Sequence, residues 1–536
     1  MSAALRRKPA FVNRALLLLL LFFGCFVLYP LVCMFSQLLQ TDIGAIIHSR
    51  SFREAVSATL LSAFLVTLCS TVLALAMALL LCRTAVPGKA IWRTLFILPM
   101  LLPSVSNGTG LVLLLGNNGF LTRLLHLSGS IYGLQGIVLG QLLYTAPAAF
   151  LLLYQAFAEE DYRPHEAAAV LGFSRLRRFC VLTLPYLRRD LIAAAFLVFS
   201  MSVTDYGIPL AIGGRVETLA VVMYAKVAGR LQFDKGSFIG LCLLLPAVLS
   251  FLADSRRRGR AVSQRTAFPL AASRQAKAIS GTACALIALL FVLPVLAFVA
   301  IMLMEEYPLH TSLTLRHLAE YWTARGRMGL RNSLLMSAGA ALLGTVAACF
   351  AAYIAARQQG LFSRLLHILA LLVLSVPGLV LGLSYALAFK RLPIYGSLWL
   401  LIVSSSIHFF TTPYLMLYQR FGKLDRDLEG TGAVLGVRPF RLFWDVMLPQ
   451  CKDTLLDMLS FFFVNSMVTI SAVVFLANAA TRPLSLLVTQ YHDQMNLAGA
   501  ATLSFLILAV NFLVRTLLLC LKGKKTPEKY KAFGAM

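Results

Sequence analysis

The chain has 536 residues, 59% of them hydrophobic and only 13% charged, with a mean hydropathy of +0.81. These values exclude an ordinary soluble domain and point to an all-α polytopic membrane protein, since strands crossing a bilayer would alternate over about ten residues instead of running apolar without interruption. The formal net charge is +26, but the basic residues gather between apolar runs, which argues for topology and against a nucleic-acid partner.

A bilayer core about 30 Å thick takes roughly 20 apolar residues per helix. The first apolar run, near 13–38, follows Arg6, Arg7, Lys8 and Arg14. It is too long for the core of a cleaved signal peptide and ends without a small-residue cleavage site, so it reads as a retained helix. Runs near 55–82, 91–115, 132–157, 189–213 and 237–253 complete a first set. A second set lies near 278–304, 330–356, 364–389, 397–421, 453–477 and 498–521. About 12 transmembrane helices are predicted, as one unit over residues 1–253 and another over 278–521.

Residues 254–277 are polar and carry Arg256, Arg257, Arg258, Arg260, Arg265, Arg274 and Lys277, as a topology-fixing cytoplasmic linker would. Residues 522–536 form a basic tail with Lys522, Lys524, Lys525, Lys529 and Lys531. The positive-inside rule places both termini in the cytoplasm. The stretch from Glu305 to Arg331 falls on the opposite side and reads as lying flat on the outer surface. Ten cysteines fall singly, with no CxxC or His-paired spacing, and read as small hydrophobes.

One hydrophilic design appears in each half: EAAAVLGFSRLRRFCVLTLP from Glu166 to Pro185, and GTGAVLGVRPFRLFWDVMLP from Gly430 to Pro449. Gly172 and Gly436 lie 264 residues apart (436 − 172), and Pro185 and Pro449 repeat that spacing (449 − 185). Ile131-Tyr132-Gly133 matches Ile394-Tyr395-Gly396, and Leu153-Tyr154-Gln155 matches Leu417-Tyr418-Gln419. Two parallel six-helix repeats with a pathway between them follow from this register. Within the first loop (160–185), Asp161 and Glu166 put negative charge near a helix start and Ala167, Ala168 and Ala169 favour a slim helix. Gly172 offers a left-handed stop. Leu176, Phe179, Val181 and Leu182 then alternate with Arg175, Arg177 and Arg178, as on an interfacial amphipathic helix.

The first loop resembles the EAA signature of type I ABC importer permeases, with Glu166, Ala167, Ala168, Gly172, Leu184 and Pro185 matching. The second loop (424–449) departs from it: Gly430, Thr431 and Gly432 fill the Glu-Ala-Ala positions, Gly436, Leu448 and Pro449 are kept, and Glu429 stands one residue early. The resemblance covers essentially the whole chain as two fused permease domains of a bacterial inner-membrane protein. It implies that both loops form coupling helices, that a dimer of ABC ATPase subunits docks on them, and that a substrate-binding protein delivers a small solute. It also implies alternating access driven by the partner, and two unequal ATPase contacts. No G-x-x-x-x-G-K-[ST] phosphate loop occurs in the chain, so the resemblance leaves ATP and Mg to the partner subunit and makes this chain no enzyme, with no cofactor bound directly.

Polar groups in the fifth run of each half are the pathway candidates: Ser202, Thr204 and Asp205, then Asn465, Ser466, Thr469 and Ser471. Asp205 has a second reading, as a wetted helix end paired with Arg215, and the hydroxyl and amide groups a second one as helix-packing contacts. His408 reads as a packing or loop residue. TDYGIPLAIGG, VTISAVVFLANAATRPLSLL and SVPGLVLGL look most like the 2-aminoethylphosphonate and ferric iron branch of the family, with thiamine and polyamine permeases as neighbours. The rival class is an ion-coupled secondary transporter, which would need buried charges in several helices where this chain offers chiefly Asp205.

Overall fold

A computed structural model describes residues 10–126, 129–254, 266–271, 273–307, 310–358, 360–425 and 427–522. Arg6, Arg7, Lys8, the arginines at 256–258, 260 and 265, and the lysines at 524, 525, 529 and 531 lie outside the described residues.

The described chain is helical apart from one antiparallel hairpin, Met304–Glu306 with His310–Leu313. Helices satisfy their own backbone groups, which a bilayer cannot. Six helices are long and apolar enough to cross a membrane: Val12–Gln40, Arg50–Arg83, Leu134–Ala158, Arg274–Leu303, Ala324–Arg357 and Leu497–Leu521. Two bent pairs, Leu361–Ser375 with Gly378–Phe389 at 108° and Leu398–His408 with Thr411–Gly422 at 53°, raise the number to eight. The twelve predicted spans are therefore not twelve unbroken helices. Near 91–115 the chain is divided by Pro99 and Pro103 into Lys89–Phe96, a tight turn at Leu98–Leu101, and Ser104–Leu115. Leu184–Thr204 carries Arg188, Arg189 and Asp190 in its early turns, and its counterpart Lys452–Val468 has only 17 residues.

The duplication extends further than the 264-residue register. Arg50–Arg83 and Ala324–Arg357 are both 34 residues long, and Ser104–Leu115 and Gly378–Phe389 both 12, each pair displaced by 274 (324 − 50; 378 − 104). From Leu134 and Leu398 onward the displacement is 264 (398 − 134). The difference of ten is the longer connection at 116–133, with its short helix Phe120–Leu124, against 390–397 in the second half.

Both Leu-Pro pairs end a wide π turn, Phe179–Thr183 and Phe443–Met447, in which Leu184 N–H donates to Phe179 O and Leu448 N–H to Phe443 O, the latter at 2.9 Å. Pro185 and Pro449 lack an N–H, and in an unbroken α-helix each ring would press on the carbonyl four residues earlier. One extra residue in the turn relieves both problems. The same device, a π turn at Gly24–Leu28, precedes Pro30 in the first span.

The halves are interlocked by their first spans. Phe23 packs edge-on against Phe410 with ring centroids 5.1 Å apart, and Tyr385 Oη donates to Phe26 O at 2.6 Å. Reciprocally, Phe291 meets Phe96 at 6.4 Å, and Gly110 lies against Pro294. Ser106 and Ser504 hydroxyls, 2.8 Å apart, and Asn511 Nδ2 donating to Leu101 O at 3.1 Å close the seam. The predicted flat segment after Leu303 is the hairpin followed by a helix at Arg316–Tyr321, and Tyr307 Oη ties it to Asn118 O of the first half at 2.6 Å.

Small residues let these helices approach, as membrane packing requires. A Cβ on Gly110 would lie 2.7 Å from Pro294 O, whereas one on Gly281 meets nothing within 4 Å. Gly110→Ala is expected to destabilise the solubilised protein by about 1–3 kcal/mol through overpacking, while Gly281→Ala is neutral or slightly stabilising. Melting curves in detergent that fell equally for both would refute this account of the seam.

Candidate functional site: the paired loops and the seam between the halves

Each loop helix is short, Arg163–Val170 and Asp427–Val434, and each stops the same way. Gly172 at φ +76° receives the chain after the first, and Gly436 at φ +69° after the second. Phe173 N–H donates to Ala168 O at 3.0 Å and Gly172 N–H to Ala169 O at 3.0 Å; Val437 to Gly432 at 2.9 Å and Gly436 to Ala433 at 3.2 Å repeat the pattern. This paired closure needs a residue free of Cβ strain at positive φ. Ala168 and Gly432 face inward, while Glu166, Ala167 and Gly430 are exposed. The tips are apolar and open: Val170 is 89% and Leu171 74% exposed, Val434 84% and Leu435 73%. Leu184 and Leu448 are half-buried, and Pro185 and Pro449 lie exposed beyond the π turns.

The attachment of each loop was not foreseen from sequence. Arg83 and Arg357, equivalent in the 274 register, end the two long helices. Arg83 pairs with buried Glu160, whose other oxygen accepts from His165 Nε2 at 3.0 Å. Arg357 Nε donates to Glu429 Oε1 at 2.6 Å, with Nη1 on Leu424 O at 3.0 Å and Nη2 on Asp425 O at 2.7 Å. Glu429 occupies the position of His165 (429 − 165 = 264). It is drawn onto Arg357 and does not stand on the exposed face that Glu166 presents.

Asp205, placed by sequence reasoning either in a pathway or beside Arg215, caps the end of Leu184–Thr204 in a buried knot. Gly207 N–H donates to its Oδ1 at 3.2 Å and Gln141 Nε2 to Oδ2 at 3.4 Å. Gln141 Nε2 also reaches Ser202 O at 3.0 Å, and Ser202 Oγ donates to Gln141 Oε1. Thr204 Oγ1 is turned back on Ser200 O at 2.8 Å. The corresponding positions of the second half are Ser405 for Gln141, Ser466 for Ser202 and Thr469 for Asp205. Ser405 and Ser466 are fully buried and their hydroxyls meet no protein partner among the described residues. Asn465 Nδ2 bonds Phe461 O at 2.7 Å, and Thr469 O accepts from Ser485 Oγ at 2.6 Å. Ser104 packs on Gly207 in the first knot, and Ser471 on Gly378 in the second, so the hydroxyl and the glycine have exchanged sides. His408 is packed beside Phe409 and Gly378.

The seam brings together residues that sequence reading passed over. Tyr206 lies 5.2 Å from Tyr224, and Tyr224 stacks 6.4 Å from Phe475 of the other half. Thr109 Oγ1 is 3.1 Å from His492 Nδ1, again across the seam.

A family model described as the binding-protein-dependent transport system inner membrane component matches residues 71–255 and again 341–523. The chain is similar to the ferric transport system permease protein of Actinobacillus pleuropneumoniae, 28% identical over 498 residues, covering 88% of this chain and 72% of the relative. It is also similar to the thiamine transport system permease protein of Escherichia coli, 24% identical, with 90% and 92% covered. A sulfate transport system permease protein of Escherichia coli, 30% identical over 249 residues, is covered for 90% of its length by 45% of this chain.

The Asp205 knot acts as a unit. Asp205→Ala strips an acceptor from buried donors and is expected to cost about 1–3 kcal/mol, as is Gln141→Ala. Their double variant should fall short of the sum by about 0.5–3 kcal/mol. Unfolding of the purified protein measures this; strictly additive costs would mean that the two side chains do not cooperate.

Proposed function

The chain belongs to the family of binding-protein-dependent transport system inner membrane components, the permeases of ABC importers, with two permease units in one polypeptide, and on that footing we propose that its paired loops receive the work of a separate ATPase dimer. The observation that carries this is the repeated loop helix with an apolar open tip, stopped by glycine at positive φ and rooted on an arginine at the end of a long helix. Such a knob has an exposed hydrophobic end for a partner and a stiff base that passes force into the bundle. In this reading both loops and both termini face the cytoplasm, ATP and Mg are used by the partner, and a binding protein delivers cargo on the other side. Nucleotide-driven approach of the two ATPase subunits draws the loops together and opens the seam outward; hydrolysis resets it.

The two contacts are unequal. Glu166 offers a carboxylate to the partner, while Gly430 offers none and Glu429 is held by Arg357. In the pathway that would open between the halves, Tyr206, Tyr224, Phe475 and His492 at the seam join Ser202, Thr204, Asp205, Asn465, Ser466 and Thr469 as the groups that cargo passes. Ferric iron is the cargo we favour over 2-aminoethylphosphonate, because a ferric permease is similar over most of the chain. Thiamine is the second reading, on the relative from Escherichia coli. An ion-coupled transporter is disfavoured because Asp205 is tied into a structural knot.

The test is ATP-dependent uptake of radiolabelled ferric iron by proteoliposomes holding this chain, its ATPase and its binding protein. Gly172→Val forces a β-branched residue to positive φ, a cost of about 1–2 kcal/mol, and is expected to lower uptake about tenfold at about 1.4 kcal/mol per decade. Glu166→Ala should weaken retention of the ATPase on purification more than Gly430→Ala does. Uptake that persists without the ATPase would sink the permease reading. Aminophosphonate or thiamine uptake in place of iron would sink only the choice of cargo.

A further inference from the structure

We infer that Thr266–Ala271, the described end of the segment joining the two halves, is a strap that holds the first loop helix against the bundle, with Phe268 as its positioning residue. Sequence reading made this segment a solvated linker. In the structure it is tied at both ends. Ala271 N–H donates to Arg83 O at 2.9 Å and Ala85 N–H to Ala271 O at 3.0 Å, a parallel bridge to the end of the helix Arg50–Arg83. At the other end Tyr162 N–H donates to Thr266 O at 3.0 Å, and Thr266 N–H donates to Asp161 Oδ1 at 3.0 Å, immediately before the loop helix.

Between these ties the Phe268 ring sits under the Arg83 guanidinium, with Cζ 3.2 Å from its centroid, and meets the Tyr162 ring at 4.9 Å and the His165 ring at 4.7 Å. Arg83 and His165 also converge on Glu160, so Phe268 closes the box that roots the loop. A cation over an aromatic face and two edge contacts hold a ring in place without need of a polar partner. The second loop is rooted differently. Arg357, the counterpart of Arg83, is taken up by Glu429 and by the carbonyls of Leu424 and Asp425. The first loop therefore leans on the joining segment, and the second leans on its own residues.

Two residues after Ala271, Ser273 caps the first span of the second half, Arg274–Leu303. The strap thus links the first loop helix to the span by which the other half grips this one. Asp161 lies outside the spans, and the Arg163 side chain, followed by the Thr266 N–H, holds its carboxyl down to about 2. A depressed carboxylate contributes above its unfolded pKa and loses that contribution only as pH falls through about 2. The tie is constant across physiological pH, and substitution is the proper probe.

Hydrogen exchange of the full-length protein in lipid nanodiscs, followed by mass spectrometry, tests the strap without any ATPase, so its outcome is independent of the docking role proposed above. Phe268→Ala is expected to raise exchange of the amides of residues 167–173 about tenfold while residues 431–437 keep their protection. Phe268→Tyr keeps the ring and is expected to restore the original rate. Unchanged protection at 167–173 in Phe268→Ala, or an equal rise in both loops, would overturn the strap.

Discussion

The arginine at the end of each long helix is the contact on which the rest of the assembly depends. A helix leaving a bilayer ends in carbonyls without partners and a negative dipole end, and a cation placed there is favoured. Arg83 and Arg357 occupy that place in the two halves and turn outward to a carboxylate, Glu160 or Glu429, at the base of a loop helix. Arg357 also takes carbonyls from the chain leading into its loop. A loop fixed this way cannot drift relative to the helix that anchors it. In the proposed mechanism, movement imposed on the loop becomes movement of the 34-residue helix behind it.

Symmetry at the level of backbone coexists with divergence at the level of chemistry. Ser104 lies against Gly207 in one half and Gly378 against Ser471 in the other, which keeps the space occupied while the hydroxyl changes sides. The first knot is fully bonded through Gln141 and Asp205; the second substitutes Ser405 and Thr469, shorter groups that leave the hydroxyls of Ser405 and Ser466 without protein partners. Buried unpaired hydroxyls cost free energy, and the second half makes fewer side-chain hydrogen bonds at this point. Backbone geometry constrains volume strictly and polarity less so, and a duplicated fold can therefore hold its shape while the side-chain chemistry of its halves diverges.

What was legible in the sequence was whatever only one residue type can do. Gly172 and Gly436 stand out because a helix stop at positive φ tolerates little else, and Pro185 and Pro449 because a missing N–H reshapes the turn before it. The duplication and the loops followed from these, and the membrane class from composition and uninterrupted apolar runs. The earlier register was hidden, since residues 50–115 and 324–389, paired at the displacement of 274, match in no run of three, and a ten-residue insertion separates them from the visible repeat. Packing at such positions asks for small or apolar side chains, and many sequences comply. Hydropathy does not register that a proline divides a run or that arginines occupy its first turns, so several of the predicted apolar runs are broken or short helices in the structure. The Tyr206, Tyr224 and Phe475 ladder was invisible for the same reason: aromatic residues are common in membrane helices, and only the fold brings these three together.

Fusing two permease units into one chain has a mechanical consequence that separate units would lack. A joining segment exists once, so it can brace one loop and not its twin. Here it runs past the first loop helix, where Phe268 fills the box beneath Arg83, while the second loop recruits Glu429 to its own arginine. The loop that keeps a free carboxylate at Glu166 is the one that needs outside support, because its inward-facing position is His165 bonded to Glu160 instead of an acid bonded directly to the arginine. The loop that spends its acid on the arginine is self-supporting but presents glycine where its twin presents Glu166. In the proposed docking role, support and docking chemistry compete for the same few positions of a short helix, and the two halves resolve that competition in opposite ways.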